Sequence, residues 1–261
     1  MNADNSSSTI AVTGATGRLG SHLVEILAQR GHDVIPIARS RGVDVISGEG
    51  LEEALAGAET IIDAATGPSP DQESATEFFV ASARNVQRAG AAAGAKRIVL
   101  VSIIGIDKFQ GGYNAAKVAQ ERALLEGPLP VRIVRAAQFH EFVEPLVGWT
   151  IQDGVAHVPE MKTQLVAARV VAEALADAAE EPEIENGRIT EVAGPRSERL
   201  ADVAGALFAS RGDSIEIREG RGGPLANPDD PDAAAYAEGA ALPGPDAQLA
   251  GPSFEEWLAA A

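Results

Sequence analysis

Two side chains that could move a proton together lie four residues apart, in the segment Tyr113-Asn-Ala-Ala-Lys117. In a helix this spacing places the phenol and the ammonium on one face. A nearby ammonium stabilises a phenolate and so lowers the pKa of a tyrosine. The pair therefore suits proton donation to a carbonyl group that receives a hydride. Ser102 ends the apolar run before this segment and could hydrogen-bond the same carbonyl. The alternative is a chance pair on a solvated helix face.

A second group of residues could hold a phosphate. Gly14, Gly17 and Gly20 separate an apolar run at 10–12 from a segment with helical apolar spacing. Glycine allows a tight turn with positive φ and close approach of an anion, and the start of a helix offers free N–H groups. We expect this loop to cradle the pyrophosphate of a dinucleotide; a tight turn without ligand is the alternative. The residues assigned to this contact are Gly14, Thr16, Gly17, Arg18 and Leu19.

The next apolar run ends in Arg39-Ser40-Arg41, and no acidic residue occurs between positions 34 and 43. In dinucleotide folds an acidic residue at this point binds the ribose 2′-hydroxyl, whereas an arginine accommodates a 2′-phosphate. Two guanidinium groups and a hydroxyl fit a phosphate well. We therefore predict NADP(H) rather than NAD(H) as the cofactor, with Arg39 and Ser40 as ligands. Exposed loop arginines without a ligand are the alternative.

Apolar runs alternate with helical segments along the first half of the chain. Strands are predicted at 10–12, 34–38, 43–46, 60–65, 97–102 and 131–135, and helices from residue 19 and at 50–56, 72–93 and 113–125. This alternation predicts an α/β fold, a Rossmann-type doubly wound parallel sheet. The gap between the second and third strands is too short for a crossover helix, so a simple loop crosses the sheet there or the third strand is rudimentary.

In such sheets the ligands lie at the carboxyl ends of the strands. The segments after the fourth and sixth strands are therefore further site candidates. A histidine in the latter titrates near neutral pH and could supplement the tyrosine as proton donor; a histidine held in a loop beneath a small lobe is the alternative. The assigned residues are Ala64, Ala65 and Thr66 for the cofactor and Gln138, Phe139 and His140 for the substrate pocket.

The pattern loosens after residue 138. We predict helices at 141–152, 167–180 and 200–211, strands at 155–158, 164–166, 188–192 and 214–218, a loop at 220–231, and a final helix that opens with the capping box Ser253-x-x-Glu256. Residues 9–140 are assigned to an NAD(P)-binding Rossmann core. Residues 141–261 are assigned to a mixed segment, in which one part completes the core and the other forms a small substrate-binding lobe.

Composition excludes several classes of function. The 261 residues contain no cysteine, and 38 acidic against 21 basic residues give a formal charge of −17. Disulfide and thiolate chemistry are therefore excluded, and nucleic acid binding is disfavoured by charge repulsion. No apolar run has the length of a membrane span, no set of residues has metal-ligand spacing, and the serine-hydrolase and P-loop motifs are absent. We expect a cytoplasmic monomer or homodimer that acts on a small molecule.

Several of these residues together resemble a known superfamily. The run Thr13-Gly-Ala-Thr-Gly-Arg-Leu-Gly20, Ser102 and Tyr113-x-x-x-Lys117 resemble the short-chain dehydrogenases/reductases. Segments 101–105, 135–140 and 253–258 resemble its atypical branch of NmrA-like, NAD(P)H-binding and quinone-reductase-like proteins. The resemblance implies that Lys117 binds the ribose hydroxyls and that Asn85 supports Lys117 and a proton-relay water.

This sequence departs from the superfamily pattern at two points. Tyr113 follows Ser102 by only 11 positions, fewer than is usual in reductases of this type, and residues 46–49 lack the aspartate that often holds the adenine.

The sequence leaves three candidate functions. The first is an NADPH-dependent oxidoreductase that transfers hydride to a small carbonyl or quinone. The second is a non-catalytic NAD(P)-binding redox sensor of the NmrA type. The third, a sugar-nucleotide epimerase, is disfavoured because the C-terminal half offers few basic residues for a substrate diphosphate.

Overall fold

The computed structural model describes residues 7–182, 185–220 and 232–260. In chain order its strands are β1 (Thr9–Thr13), β2 (Asp33–Ile37), β3 (Thr60–Asp63), β4 (Arg97–Ile103), β5 (Val131–Ala136), β6 (Ile151–Gln152), β7 (Val155–Pro159), β8 (Lys162–Thr163), β9 (Ile189–Ala193), β10 (Glu198–Arg199), β11 (Glu216–Gly220) and β12 (Gln248–Leu249). Its α-helices are α1 (Arg18–Gln29), α2 (Leu51–Ala54), α3 (Gln72–Ala93), α4 (Gly112–Leu125), α5 (Val143–Gly148), α6 (Ala168–Glu180), α7 (Leu200–Arg211), α8 (Ala233–Glu238) and α9 (Phe254–Ala260).

Seven strands form one parallel sheet in the order β12-β9-β5-β4-β3-β1-β2. This confirms the predicted doubly wound Rossmann-type sheet. The chain leaves β1 for β2 on one side and returns to β3 on the other side of β1. The strand order therefore reverses between β1 and β3, which is where open α/β sheets form their ligand crevice.

Helices cover both faces of this sheet. Helices α1 and α6 pack on one face, and α3 and α4 pack on the other. Side chains of a strand alternate between faces, so Val99 joins the core under α1 and α6, whereas Ile98 and Leu100 join the core under α3 and α4. Burial on both sides explains why the central strands are continuous apolar runs.

The predicted third strand at 43–46 is wrong. Residues 45–47 and 49–50 form turns. The Asp44 carboxylate accepts a hydrogen bond from the Ile46 N–H at 2.8 Å, and the Asn85 amide on α3 donates to the carbonyls of Val45 (3.0 Å) and Ile46 (2.6 Å). The short connection leaves no helix to carry the chain across the sheet, and α3 instead holds the segment as a turn.

The second half of the chain divides between this sheet and a separate layer. Strands β9 and β12 extend the main sheet, and helix α6 packs on one of its faces. Helices α5, α7 and α9 pack with the small sheet β11-β7-β6 around a core of their own. Its fully buried members include Val143, Val158, Leu200 and Phe254. The boundary drawn between residues 140 and 141 stays a prediction.

Three local predictions in this half have different outcomes. The helix predicted at 141–152 ends at Gly148 and is followed by β6. The strand predicted at 164–166 is reduced to a single bridge between Val166 and Phe139. The capping box is confirmed, because the Ser253 N–H and hydroxyl both donate to the Glu256 carboxylate at 2.8 Å. The predicted loop at 220–231 lies outside the described residues after its first position.

Across the described residues, every helix is too short or too polar to cross a membrane.

Candidate functional site

The glycine loop packs tightly between β3 and α1. Gly14 has a φ of +66°, and a Cβ there would lie 2.6 Å from the Ala64 carbonyl oxygen. A Cβ on Gly20 would overlap the Gly14 carbonyl. Helix α1 begins after Gly17, whose missing side chain leaves the first-turn N–H groups uncapped. Only glycine fits at positions 14 and 20, and the uncapped N–H groups at the start of α1 are of the kind that can bind a phosphate.

The other residues assigned to the cradle differ in their surroundings. Thr16 is exposed, whereas the Leu19 side chain is buried in the core, so that only its backbone could contact a ligand. The Arg18 guanidinium donates to the Glu141 carbonyl at 2.8 Å. Arg18 therefore ties the cradle to the segment that follows β5.

A buried polar network lies directly beneath the cradle. The Asp63 carboxylate accepts hydrogen bonds from the Thr13 hydroxyl at 2.6 Å and from the Gln120 amide at 3.0 Å. The Thr13 hydroxyl in turn accepts from the Ala64 N–H at 3.2 Å. Sequence reasoning assigned no chemistry to Asp63. The position of Asp63 was a signal for this contact, because Thr13 and Asp63 are the polar residues that end two adjacent parallel strands in register.

Lys117 joins this network from α4. Its Nζ donates to the Val101 carbonyl at 2.9 Å and to the Gln120 side-chain oxygen, and it lies 4.6 Å from the centre of the Phe79 ring. Burial lowers the pKa of Lys117 to about 8, although the charge of Asp63 acts in the opposite direction. Because these three partners surround the ammonium, its expected contact with ribose hydroxyls stays a prediction.

The family resemblance implied that Asn85 supports Lys117, but in the structure it does not. Its amide nitrogen donates to the 45–46 backbone, and its oxygen accepts from Arg88 at 2.9 Å. Gln120 and the Val101 carbonyl hold the lysine instead. The missing third strand explains the difference, because the turn in its place accepts the hydrogen bonds of the Asn85 amide.

A pH dependence of stability follows from Lys117. Its folded-state pKa of about 8 lies below the ordinary value of 10.5, so between these values the unfolded chain binds more protons and stability rises with pH. We expect the difference in unfolding free energy between wild type and Lys117→Met to shift in favour of wild type over this range. Urea unfolding at several pH values measures it, with Lys96→Met, an exposed lysine, as control. A difference in unfolding free energy that stays constant over this pH range would contradict the lowered pKa of Lys117.

Tyr113 lies against the loop that follows β3. Its hydroxyl lies 3.0 Å from the Thr66 hydroxyl on the loop after β3, and its ring packs edge-on against Phe79 at 5.5 Å. Burial raises the pKa of Tyr113, and the hydrogen bond with Thr66 only partly opposes this. The predicted lowering of the pKa of Tyr113 by Lys117 is wrong, because the ammonium is bonded inside the core. The phenol is therefore held protonated.

Ser102 is the second-to-last residue of β4. It is 2% exposed, and its hydroxyl has no hydrogen-bond partner among the described residues. A buried polar group without a partner is uncommon in folded proteins. The buried Ser102 hydroxyl therefore has hydrogen-bonding capacity that no described residue uses.

The segment after β5 differs from the expected pocket wall. His140 lies beneath α9, with ring centres 5.5 Å from both Phe254 and Trp257, and is 1% exposed. Neither ring nitrogen has a hydrogen-bond partner among the described residues, although the Leu165 carbonyl is near. Burial lowers the pKa of His140. The histidine is thus covered by the C-terminal helix, while Gln138 and Phe139 are half-buried.

The basic turn follows β2 as predicted. Residues 39–41 form one 3-10 turn that begins one residue after the strand ends, and all three side chains are exposed. Neither Arg39 nor Arg41 forms an ion pair with a described residue. Over the same part of the chain, no cluster of histidine and carboxylate side chains could hold a metal ion.

The parallel sheet, with a glycine cradle at its switch point, defines a dinucleotide-binding protein of the Rossmann type. The chain belongs to the NAD(P)H-binding family, whose profile matches residues 14–182. This confirms the resemblance to atypical short-chain dehydrogenases/reductases and NAD(P)(H) as the cofactor.

Relatives extend this comparison. The chain is 30% identical over 161 residues to a 4-hydroxy-tetrahydrodipicolinate reductase of Natronomonas pharaonis, covering 60% of this chain and 54% of the relative. It spans about half the length of the curated relatives it matches.

Two solved structures share the fold. One is the NADPH-dependent quinone oxidoreductase QOR2 of Escherichia coli with NADPH (TM-score 0.69, 20% identity, covering 96% of this chain and 99% of that one). The other is a UDP-glucose 4-epimerase of Thermus thermophilus with NAD (TM-score 0.66, 21% identity, covering 84% and 88%).

Proposed function

We propose that the protein is an NADPH-dependent reductase of a small carbonyl or quinone. The observation that carries the proposal is the contact between the Tyr113 and Thr66 hydroxyls. Thr66 follows Ala64 and Ala65, and Ala64 touches Gly14 of the cradle. This contact holds a protonated phenol beside the glycine cradle. A quinone reductase with the same fold and reductases among the sequence relatives support the reaction class.

In this proposal each group has one task. The backbone of residues 14–19, with Arg18, holds the pyrophosphate, and residues 64–66 border the cofactor. When bound there, NADPH would supply the hydride that adds to the carbonyl carbon. Tyr113 gives its proton to the carbonyl oxygen, so that the C=O π bond is replaced by a C–H and an O–H bond. Ser102 hydrogen-bonds the same oxygen, and water returns a proton to the tyrosine.

The test uses purified protein, NADPH and a panel of quinones and aldehydes. We expect the nicotinamide absorbance to fall with at least one acceptor. Tight NADPH binding without oxidation by any acceptor would instead favour a redox sensor. One observation favours that second candidate: Lys117 is bonded in the core, so the ammonium does not assist proton transfer from Tyr113. NADPH titration by nicotinamide fluorescence, run alongside, separates failure to bind from failure to react.

Arg39 and Ser40 are proposed to bind the 2′-phosphate of NADPH. We expect Arg39→Ala to weaken NADPH binding by about 10- to 100-fold, since a charge-assisted hydrogen bond contributes about 1.5–3 kcal/mol. The affinity for NADH should not change. The control is Arg84→Ala, which removes an exposed arginine from α3. Equal losses for both dinucleotides, or no loss, would remove Arg39 from this role.

The charge distribution of the C-terminal half argues against sugar-nucleotide epimerisation. Such substrates carry a diphosphate that needs cationic partners. Each arginine described in residues 141–220 already forms an ion pair with an acidic residue. These pairs are Arg169 with Glu25 and Glu173, Arg188 with Glu181, Arg196 with Glu198 and Glu255, Arg199 with Asp202 and Glu219, Arg211 with Glu144, and Arg218 with Glu216.

A further inference from the structure

A C-terminal segment lies against the loop that leads into α4. This segment, residues 232–242, contains α8 and is called the brace below. Gly105 has a φ of +75°, and a Cβ there would overlap the Ala240 carbonyl oxygen, so the two backbones are in direct contact. Lys108 donates to the same carbonyl at 3.3 Å. The brace therefore touches the loop shortly after Ser102.

The start of α4 takes its hydrogen-bond acceptors from distant parts of the chain. Its N-cap is Gly111, which has no side chain to supply an acceptor. The Asp232 carboxylate accepts from the N–H groups of Gln110 (2.7 Å) and Gly111 (3.0 Å). The Gln72 side chain accepts from the Gly112 N–H at 2.8 Å. A helix start needs such acceptors, and a negative charge there is favourable.

Tyr236 of the brace holds the residues on either side of this helix start. Its ring lies 4.4 Å from the Phe109 ring, at an interplanar angle of 30°. Its hydroxyl accepts a hydrogen bond from the Asn114 amide at 2.7 Å. Asn114 is the immediate neighbour of Tyr113. The backbone that carries the proposed proton donor is thus fixed from both sides.

We propose that Asp232 is a positioning residue for Tyr113, an inference that rests on the proposed reductase function. Tyr113 is the second residue of α4, and the first turn of a helix frays unless its N–H groups are bonded. Only 11 positions separate it from Ser102, and the brace contacts the loop between them through the Asp232 carboxylate and the Ala240 carbonyl. The brace thereby compensates for the short spacing.

The first test measures turnover with the acceptor found in the NADPH assay. We expect Asp232→Ala to lower kcat by about 10- to 100-fold, since a misplacement of about 1 Å has effects of this size. NADPH affinity should be unchanged. Asp232→Asn should restore part of the activity, because its amide oxygen can accept one of the two bonds. Asp246→Ala, at an exposed aspartate of the same region, is the control and should have no effect.

A double-mutant cycle shows whether Asp232 acts through Tyr113. If it does, Asp232→Ala adds no further loss of kcat in a Tyr113→Phe background. A full additional loss would overturn the proposal, as would an unchanged kcat in the single variant. Should Asp232→Ala fail to fold, Asp232→Asn carries the same comparison.

A spectroscopic measurement keeps this inference separate from the proposed function. The chain has two tyrosines, Tyr113 and Tyr236, so 3-fluorotyrosine labelling gives two fluorine resonances that Tyr113→Phe assigns. We expect Asp232→Ala to shift or broaden the Tyr113 resonance and Asp246→Ala to leave it unchanged. A Tyr113 resonance that is identical in wild type and Asp232→Ala would overturn the positioning role. A shifted resonance in a protein that oxidises no NADPH would reject the reductase and retain the positioning.

Discussion

Replacing Tyr113 with phenylalanine is expected to lower kcat by about 10²- to 10⁴-fold, the usual contribution of a positioned general acid. NADPH affinity should be retained, because the ring and its contact with Phe79 remain. Because burial raises the pKa of Tyr113 above its ordinary value, the protonated form is present at neutral pH. We therefore expect kcat to stay constant with respect to this group through neutral pH and to fall only above about pH 10.

The control for this prediction is Thr66→Val, which removes the hydroxyl 3.0 Å from the phenol and keeps the proton donor. One hydrogen bond contributes about 0.5–1.5 kcal/mol, so kcat should change by about 10-fold or less. Both variants are compared in steady-state assays across a pH series. Full activity in Tyr113→Phe would exclude Tyr113 as the proton donor and leave Ser102 or solvent in that role.

Gly14→Ala is expected to abolish high-affinity NADPH binding. A left-handed conformation costs an alanine about 1–2 kcal/mol, and the Cβ would lie 2.6 Å from the Ala64 carbonyl oxygen, which adds about 1–3 kcal/mol of overpacking. Relief of this overlap must move the cradle. We expect NADPH affinity to fall by at least about 100-fold, since each lost charge-assisted bond contributes about 1.5–3 kcal/mol.

Gly31→Ala is the matched control for this variant. Gly31 also has a positive φ, of +87°, but nothing lies within 4 Å of the site of its Cβ. It should lose about 1–2 kcal/mol of stability and bind NADPH as wild type does. Urea unfolding and NADPH titration compare the two variants. Wild-type NADPH affinity in Gly14→Ala would show that the close contact with Ala64 is not part of a cofactor cradle.

Much of the central sheet could be predicted from the sequence because its signals are local. Continuous apolar runs, the glycine turn and the long helix at 72–93 all depend on neighbouring residues. The failure at 43–46 has a tertiary cause. A short apolar run fits a strand or a buried turn equally well, and the Asn85 bonds that select the turn come from 39 and 40 residues away.

The site could be predicted only in part for the same reason. The strand ends place Gly14, Ser102 and Thr66 at the same edge of the sheet, since these positions follow from the parallel strand order. The direction of the Lys117 side chain depends on Gln120, whose own partner Asp63 is 57 residues distant. Asp232 is more distant still, at 121 and 122 residues from the N–H groups it binds. Sequence periodicity carries no information about such pairings.

The turn at 43–46 also determines how the sheet ends. Strand β2 pairs only with β1 in the described chain, so one side of β2 is an open edge that could recruit a strand from another molecule. Pro36, the fourth of the five residues of β2 and opposite Val12, has no N–H to offer an incoming strand, and the exposed charge of Asp33 begins the strand. The shortened sheet thus carries its own protection against edge-to-edge aggregation.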